Sequence, residues 1–329
     1  MSEPVLTNRI LHEANEERSG RWPLSSEPGQ EVIRKRQWLR APWLNAVLFL
    51  FTLASTTVFG FALYQSFRQG RVLDDQNLIK GYELLFSGDG RIWAGLIYSL
   101  PLLCILLFHE FGHYFTCRRW KVQATLPYFA PSPTLLGTLG AFIAIRSPIY
   151  QRRGLFDIGI SGPIAGFAAL LPFLFAGIWN SHVCPGVQEH GIFSFGMPLL
   201  FRLLEAWRFP GVAPRNICLH PMAMAAWAGL LATAINLLPV GQLDGGHIVY
   251  ATLGARGHAM ISRAAIGALV LAGFFYWPWW IWAIGMFFFR RHPLVHDAEP
   301  LGARRQLLAV AAVVLFLLSF SVVPVRVGS

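Results

Sequence analysis

Apolar runs of membrane-crossing length recur through the chain, at about 43–64, 92–116, 155–179, 221–239, 262–289 and 307–324. An α-helix needs roughly 20 such residues to cross a bilayer, so most of the sequence beyond residue 42 is committed to a span or to a connection between spans. Charged residues make up only 13% of the chain, about half the share usual in a soluble domain. The expected fold is an all-α polytopic membrane protein of about six transmembrane helices. The run 262–289 can be read two ways. Tyr276-Trp277-Pro278-Trp279-Trp280 has the composition of an interfacial aromatic belt, and a break there would divide the run into two shorter elements. The span count and the side of the C-terminus would then both change.

The formal charge of +10 would suggest a nucleic-acid partner in a soluble protein. Here the arginines flank the apolar runs, as the bias of Lys and Arg toward the cytoplasmic side predicts. The expected surroundings are therefore the lipid bilayer, with no nucleic acid. Residues 1–42 are polar, end in Arg34, Lys35, Arg36 and Arg40, and lack the apolar core of a signal peptide. Glu13, Glu16 and Glu17 also set them apart from an acid-poor transit peptide. They read as a cytoplasmic tail ahead of a membrane domain at 43–329. With the N-terminus inside, a six-span arrangement puts 117–154 inside and 290–306 outside, with 16 Lys and Arg inside against 11 outside.

The second run ends in His109-Glu110-Phe111-Gly112-His113. On a helix the two histidines of such an H-E-x-x-H motif lie one turn apart on one face, where both can reach one zinc ion and the glutamate can act as a base. The alternative is a helix end whose histidines merely face the interface. Ionisable groups are costly inside a membrane-length helix, however, and are normally kept there for a function.

A catalytic zinc usually takes three protein ligands and keeps one position open. Cys117, four residues past His113, does not serve: ligands at i, i+4 and i+8 spread over about 12 Å of helix axis, while zinc bonds are only about 2.0–2.3 Å long. Asp244 is the better candidate. Pro239 stops the fourth run, and Gly241, Gly245 and Gly246 free the backbone to bring a carboxylate close to a metal. The bland reading of the same residues is a surface turn after the span.

H-E-x-x-H in the second run, Asn236-Leu237-Leu238-Pro239 leading into Leu243-Asp244-Gly245-Gly246 after the fourth, and Ser161-Gly162-Pro163-Ile164-Ala165-Gly166 in the third together resemble the site-2 protease family of intramembrane zinc metalloproteases. The resemblance covers about 92–250, the expected catalytic core. It implies one zinc per chain held by His109, His113 and Asp244, with Glu110 as catalytic base. It also implies that Asn236 holds or polarises the scissile peptide, although an asparagine in a membrane helix can simply hydrogen-bond its neighbour. The implied substrate is a single-span membrane protein, often cut after a first protease has shortened its outer part. The implied location is a multi-pass protein of a prokaryotic inner membrane with the N-terminus cytoplasmic. The sequence has no soluble insertion of about 90 residues fit to form a PDZ domain, which many relatives carry. His247 matches a histidine often found after the family's D-G-G, and three ligands suffice without it.

Between the second and third runs, residues 122–150 are apolar but short and broken by glycine. They read as strands or a re-entrant hairpin, able to take an unwound substrate by β-addition, or else as an amphipathic interfacial segment. Asp157 reads as a charge favourable to the start of the third helix. Cys184 and Cys218 bracket the loop between the third and fourth runs and pair if that loop is exoplasmic; His182, His190 and His220 in the same loop lack ligand spacing. A rival function is a metal-binding scaffold or transporter, but beyond the two motifs the runs carry almost none of the ionisable groups a transport path requires. A metalloprotease with glutamate as third ligand is disfavoured because Glu205 and Glu299 fall outside the runs.

Overall fold

The computed structural model describes residues 42–327 except 72, 74, 134, 135, 185–192, 296 and 298. The expected tail, up to residue 41, and His190 lie outside the described residues. Helix α1 (Pro42–Gln69) leads through α2 (Asp75–Ser87) and a 3-10 turn (Gly90–Gly95) to α3 (Leu96–Arg119). Strands β1 (Tyr128–Pro131) and β2 (Thr138–Phe142) precede α4 (Arg152–Trp179). Then come β3 (His182–Val183), β4 (Phe193–Phe195), α5 (Leu199–Arg208), β5 (Ile217–Cys218) and α6 (Pro221–Asn236). Helix α7 (Asp244–Ala272, two helical stretches that meet at a non-helical Gly254 with φ 71°), α8 (Pro278–Phe289), α9 (Ala303–Ser319) and β6 (Val325–Val327) complete the order. The architecture is mainly helical, with three two-stranded antiparallel pairings among the described residues, β1–β2, β3–β5 and β4–β6; the expectation was all-α apart from a β or re-entrant segment at 122–150.

Among the described residues, three helical stretches are long and apolar enough to cross a membrane: Pro42–Gln69, Gly90–Arg119 and Arg152–Trp179. The fourth and sixth runs form helices of 16 and 17 residues, short of the roughly 20 of a typical crossing. The fifth run is not one element. It breaks at Gly273–Trp277, and α8 folds back along α7, with Trp280 Nε1 donating to the Val270 carbonyl at 3.0 Å.

With this reversal the expected count of six spans is not confirmed. Segment 290–306 lies with 117–154 at the same end of the bundle. Arg305 forms a bidentate pair with Asp157 at 2.7 and 2.8 Å, Arg153 meets Glu299 at 3.0 Å, and the backbone N–H of Arg152 donates to Asp297. At the other end, β6 pairs with β4, which joins the C-terminal strand to the 180–220 segment. Counting one apolar run as one crossing places 290–306 with the 180–220 segment instead, since composition carries no direction. Within 43–329, the end holding 117–154, 240–263 and 290–306 carries 12 Lys and Arg against 8 at the opposite end.

The core lies among α1, α3, α4 and α6, around Tyr98, Leu102, Ile105, Leu170, Leu174 and Trp227. Lipid is as apolar as these side chains, so close packing rather than water exclusion holds such helices together. Small residues permit it: a Cβ on Gly112 would strike the Ser161 carbonyl, and one on Gly177 the backbone of Ala223. Some buried hydroxyls are satisfied across helices, as where those of Thr56 and Ser99 meet at 2.6 Å. The β1–β2 hairpin lies along α1. Asn45 Nδ2 donates to the Pro127 carbonyl at 2.7 Å, and ten residues on, Ser55 Oγ donates to the Gly137 carbonyl at 2.6 Å. Residues 122–150 are thus a hairpin seated on the bundle.

Candidate metal centre

His109 and His113 stand one turn apart on α3, both buried, and Asp244 opens α7. The chain reaches Asp244 through the tight turn 237–243, where Gly241 takes a left-handed φ of 57° that a side chain would resist. Gly245 and Gly246 lie in the first turn of α7, so the D-G-G is a helix start and not a surface turn. A Cβ at Gly245 would run into the Leu237 carbonyl and one at Gly246 into that of Gly241. The glycines are what let α7 begin against the end of α6, with its first carboxylate turned toward α3.

The result is a cluster of three facing donors. Asp244 Oδ2 lies 3.2 Å from His109 Nε2 and 3.3 Å from His113 Nε2, and the two Nε2 atoms are 3.2 Å apart. His113 Nδ1 donates to the Ile158 carbonyl at 2.7 Å, which fixes the tautomer and leaves Nε2 as a bare lone pair. Asp244 Oδ2 is buried and has no hydrogen-bond donor despite its two imidazole neighbours. Three lone-pair atoms converging without protons between them would repel one another unless a cation sat at their centre. Tetrahedral zinc bonds of about 2.0–2.1 Å put ligand atoms roughly 3.3–3.4 Å apart, close to the three separations found. The residues present therefore fit zinc, and His109, His113 and Asp244 form a group that could hold it.

Glu110 is buried beside this cluster, its carboxylate against the backbone N–H of Ile143 just past β2. Asn236, the last residue of α6, brings Nδ2 to 3.1 Å from His109 Nε2. All five residues singled out in the sequence thus meet at one place. Cys117 is fully buried on α3 and is not part of the cluster. His247 is also apart from it, with Nδ1 2.8 Å from Nε2 of His292.

The sequence did not reveal why the third run carries Ser161-Gly162-Pro163-Ile164-Ala165-Gly166. A Cβ on Gly162 would overlap the His113 imidazole, and one on Gly166 would come within 3.0 Å of the His109 Cβ. These glycines are the floor on which both imidazoles rest. Asp157 was misread as well. It sits in the second turn of α4 and pairs with Arg305 of α9, tying two helices together rather than serving the helix dipole.

At the opposite end, pairing of β3 with β5 aligns His182 with Cys218, and Cys184 and Cys218 are joined in a disulfide with Cα atoms 5.7 Å apart. His182 lies close enough to both sulfurs to suggest a second metal group, but disulfide sulfurs are not thiolate donors. Cys104 and Cys117 are free.

Residues 97–277 match the model of Peptidase family M50. The chain is 30% identical over 307 residues to "Probable zinc metalloprotease EGY1, chloroplastic" of Arabidopsis thaliana, covering 89% of this chain and 54% of that protein. It is 29% identical to "Probable zinc metalloprotease EGY2, chloroplastic" of Oryza sativa subsp. indica, over 80% of this chain and 47% of that one. It is 26% identical to "Probable zinc metalloprotease EGY3, chloroplastic" of the same subspecies, over 85% and 48%. The chain spans about half the length of the curated relatives it matches. Their chloroplastic names give no support to the expected prokaryotic inner membrane. The matched region runs from the start of α3 to the turn before α8 and so contains all five clustered residues, and by that match the chain belongs to Peptidase family M50, the site-2 protease family.

Proposed function

We propose that this chain is a zinc endopeptidase that cuts other membrane proteins within or beside their transmembrane segments. The observation that carries the reading is the trio of His109 Nε2, His113 Nε2 and Asp244 Oδ2 at 3.2–3.3 Å, buried among apolar helices. Zinc bound there supplies Lewis acidity toward water and the scissile carbonyl. Glu110, one residue from the first ligand, takes the proton of the attacking water and returns it to the leaving amine. Asn236 offers its amide N–H to the carbonyl oxygen as charge develops there. His113 is kept in its donor-outward tautomer by Ile158, so that this ligand need not reorganise during turnover.

A peptide bond inside a helix is shielded by its own hydrogen bonds, so the substrate must be unwound first. The free edge of β2 supports a place for this. Arg146 N–H donates to the Gln123 carbonyl and the Ala144 carbonyl accepts from Thr125 N–H, so even-numbered residues face the β1 side. By the alternation of an antiparallel pair, Ala141 and Ile143 turn their backbone groups outward, toward Glu110. The unwound segment adds here as a third strand. The substrate class is a single-span membrane protein in the bilayer, cut after prior shortening of its outer part. The excess of Lys and Arg at the site end supports an inner, positively charged face for that end.

The test is metal content and cleavage of a model single-span substrate, measured on the same detergent-purified samples. Wild type should hold one zinc per chain and cleave. Asp244→Ala should lose both, whereas Glu110→Gln should keep the zinc and lose about 10²–10⁴-fold in rate. Zinc content unchanged by Asp244→Ala, or cleavage retained by Glu110→Gln, would overturn the assignment.

A further inference from the structure

On the far side of the α3–α4 seam from the metal cluster lies a cavity of about 490 Å³ between α3, α4 and α9. Its mouth is basic: Arg119 from the end of α3 and Arg304 and Arg305 from the start of α9 line it, with Asp157 as the acid facing them. Asp157 is engaged bidentately by Arg305. Arg119 and Arg304 have no ion-pair partner among the described residues. Two arginines in the first turn of α9 oppose the positive end of its own helix dipole, so this corner carries uncompensated positive charge from two sources. The indole N–H of Trp120, buried on the same wall, lacks an acceptor.

The other half of the cavity is apolar and has a direction. Asp157, Ile160, Ile164 and Ala168 follow one face of α4 over about 16 Å of axis, away from the arginines and along a helix long enough to cross a membrane. Ile164 is 38% exposed, and Leu308 of α9 closes the opposite side. A ligand filling this space has an anionic group at one end and a hydrocarbon chain at the other. We infer that the α3–α4–α9 groove is a binding site for one anionic phospholipid. Its phosphate lies between Arg119 and Arg304, and one acyl chain lies along Ile164 and Ala168. Basic pockets between membrane helices bind acidic head groups in this way, and the long arginine side chains reach the head-group level while their stems stay in the apolar layer. The inference needs the chain to be in a membrane; it does not depend on the protease reading.

The test is native mass spectrometry of the full chain in detergent, titrated with phosphatidylglycerol or phosphatidylcholine. Wild type should retain one phosphatidylglycerol and release phosphatidylcholine. Arg119→Gln/Arg304→Gln should weaken phosphatidylglycerol retention about tenfold, while Arg71→Gln/Arg215→Gln, the same charge change at the opposite end, should not. Ala168→Trp, which fills the groove and leaves every arginine in place, should also lose the lipid. Glycerol phosphate at equal concentration should not displace it, which separates a lipid from a free phosphate as occupant. Equal retention of the two lipids, an equal loss in both arginine pairs, full retention by Ala168→Trp, or displacement by glycerol phosphate would each overturn the proposal. So would unchanged lipid retention in Arg119→Gln/Arg304→Gln accompanied by lost binding of an acidic peptide, an outcome that would assign the groove to a protein partner.

Discussion

Single atoms decide whether the metal cluster forms, and Gly162 is the sharpest case. The His113 ring occupies the space its Cβ would take, so Gly162→Ala must move either α4 or the imidazole. Overpacking of this kind costs about 1–3 kcal/mol, which a helix bundle can absorb, whereas a ligand displaced by a few tenths of an ångström cannot hold its bond length. The expected outcome is a folded protein with at least tenfold weaker zinc retention, read by metal analysis after dialysis against a chelator; zinc bound as in wild type would show that the ring has room elsewhere. Glu205 is a residue of the opposite kind, buried with one carboxylate oxygen unpartnered. Burial pushes its carboxyl up to about 7, with Arg202 opposing weakly. The folded state therefore holds a proton that the unfolded chain releases near its ordinary value of about 4.3. Stability is greatest below that value and falls as pH rises through 7. Melting temperature measured from pH 5 to 8 should decline more in wild type than in Glu205→Gln, and parallel profiles would count against an ionising Glu205. The two zinc motifs were legible because they are short and chemically specific. Gly162 and Glu205 were not, since the partner of each is set by folding alone.

At the scale of elements, β1 and β2 form a hairpin whose free edge lies beside Glu110. Glycine-broken apolar stretches announce that a segment is neither span nor soluble loop, which is how residues 122–150 were read, but they do not say which edge faces what. Register does: the outward groups are those of Ala141 and Ile143. Ala141→Pro removes one outward N–H and no bond within the hairpin, a change that edge strands tolerate. Cleavage of a membrane substrate should fall tenfold or more, mainly through KM, with zinc content unchanged. Undiminished cleavage would mean that the substrate does not pair with this edge. Helices α6 and α7 carry a related lesson. Asn236 and Asp244 end one helix and start the next, and the seven-residue turn between them draws its shape from Gly241 and from contacts with Phe289, the end of α8. The sequence marked the turn by Pro239 and Gly241 but gave no hint that the end of α8 would pack against it.

For the whole molecule, the apolar runs specified a membrane protein and placed the three helical stretches long and apolar enough to cross a membrane to within a few residues, because length and composition suffice for those. They did not specify where the fifth run turns. Gly273 leaves the room in which the Trp280 ring sits, and Trp279 stacks on Phe320 beyond the end of α9, with Nε1 donating to the Val322 carbonyl at 2.6 Å. These contacts fix the α7–α8 turn at the end opposite the metal cluster and return the chain to it at His292, beside His247. The consequence is a sidedness that differs from the one-run, one-crossing reading. There, 290–306 shares a side with the 180–220 segment; here the two lie at opposite ends. Cysteines introduced one at a time at Arg291 and at Gly211, both in exposed segments, separate the alternatives in sealed vesicles treated with a membrane-impermeant maleimide. One of the two should react and the other only after the vesicles are opened. Reaction of both, or of neither, before opening would restore the single crossing at 262–289 and detach Arg305 from Asp157.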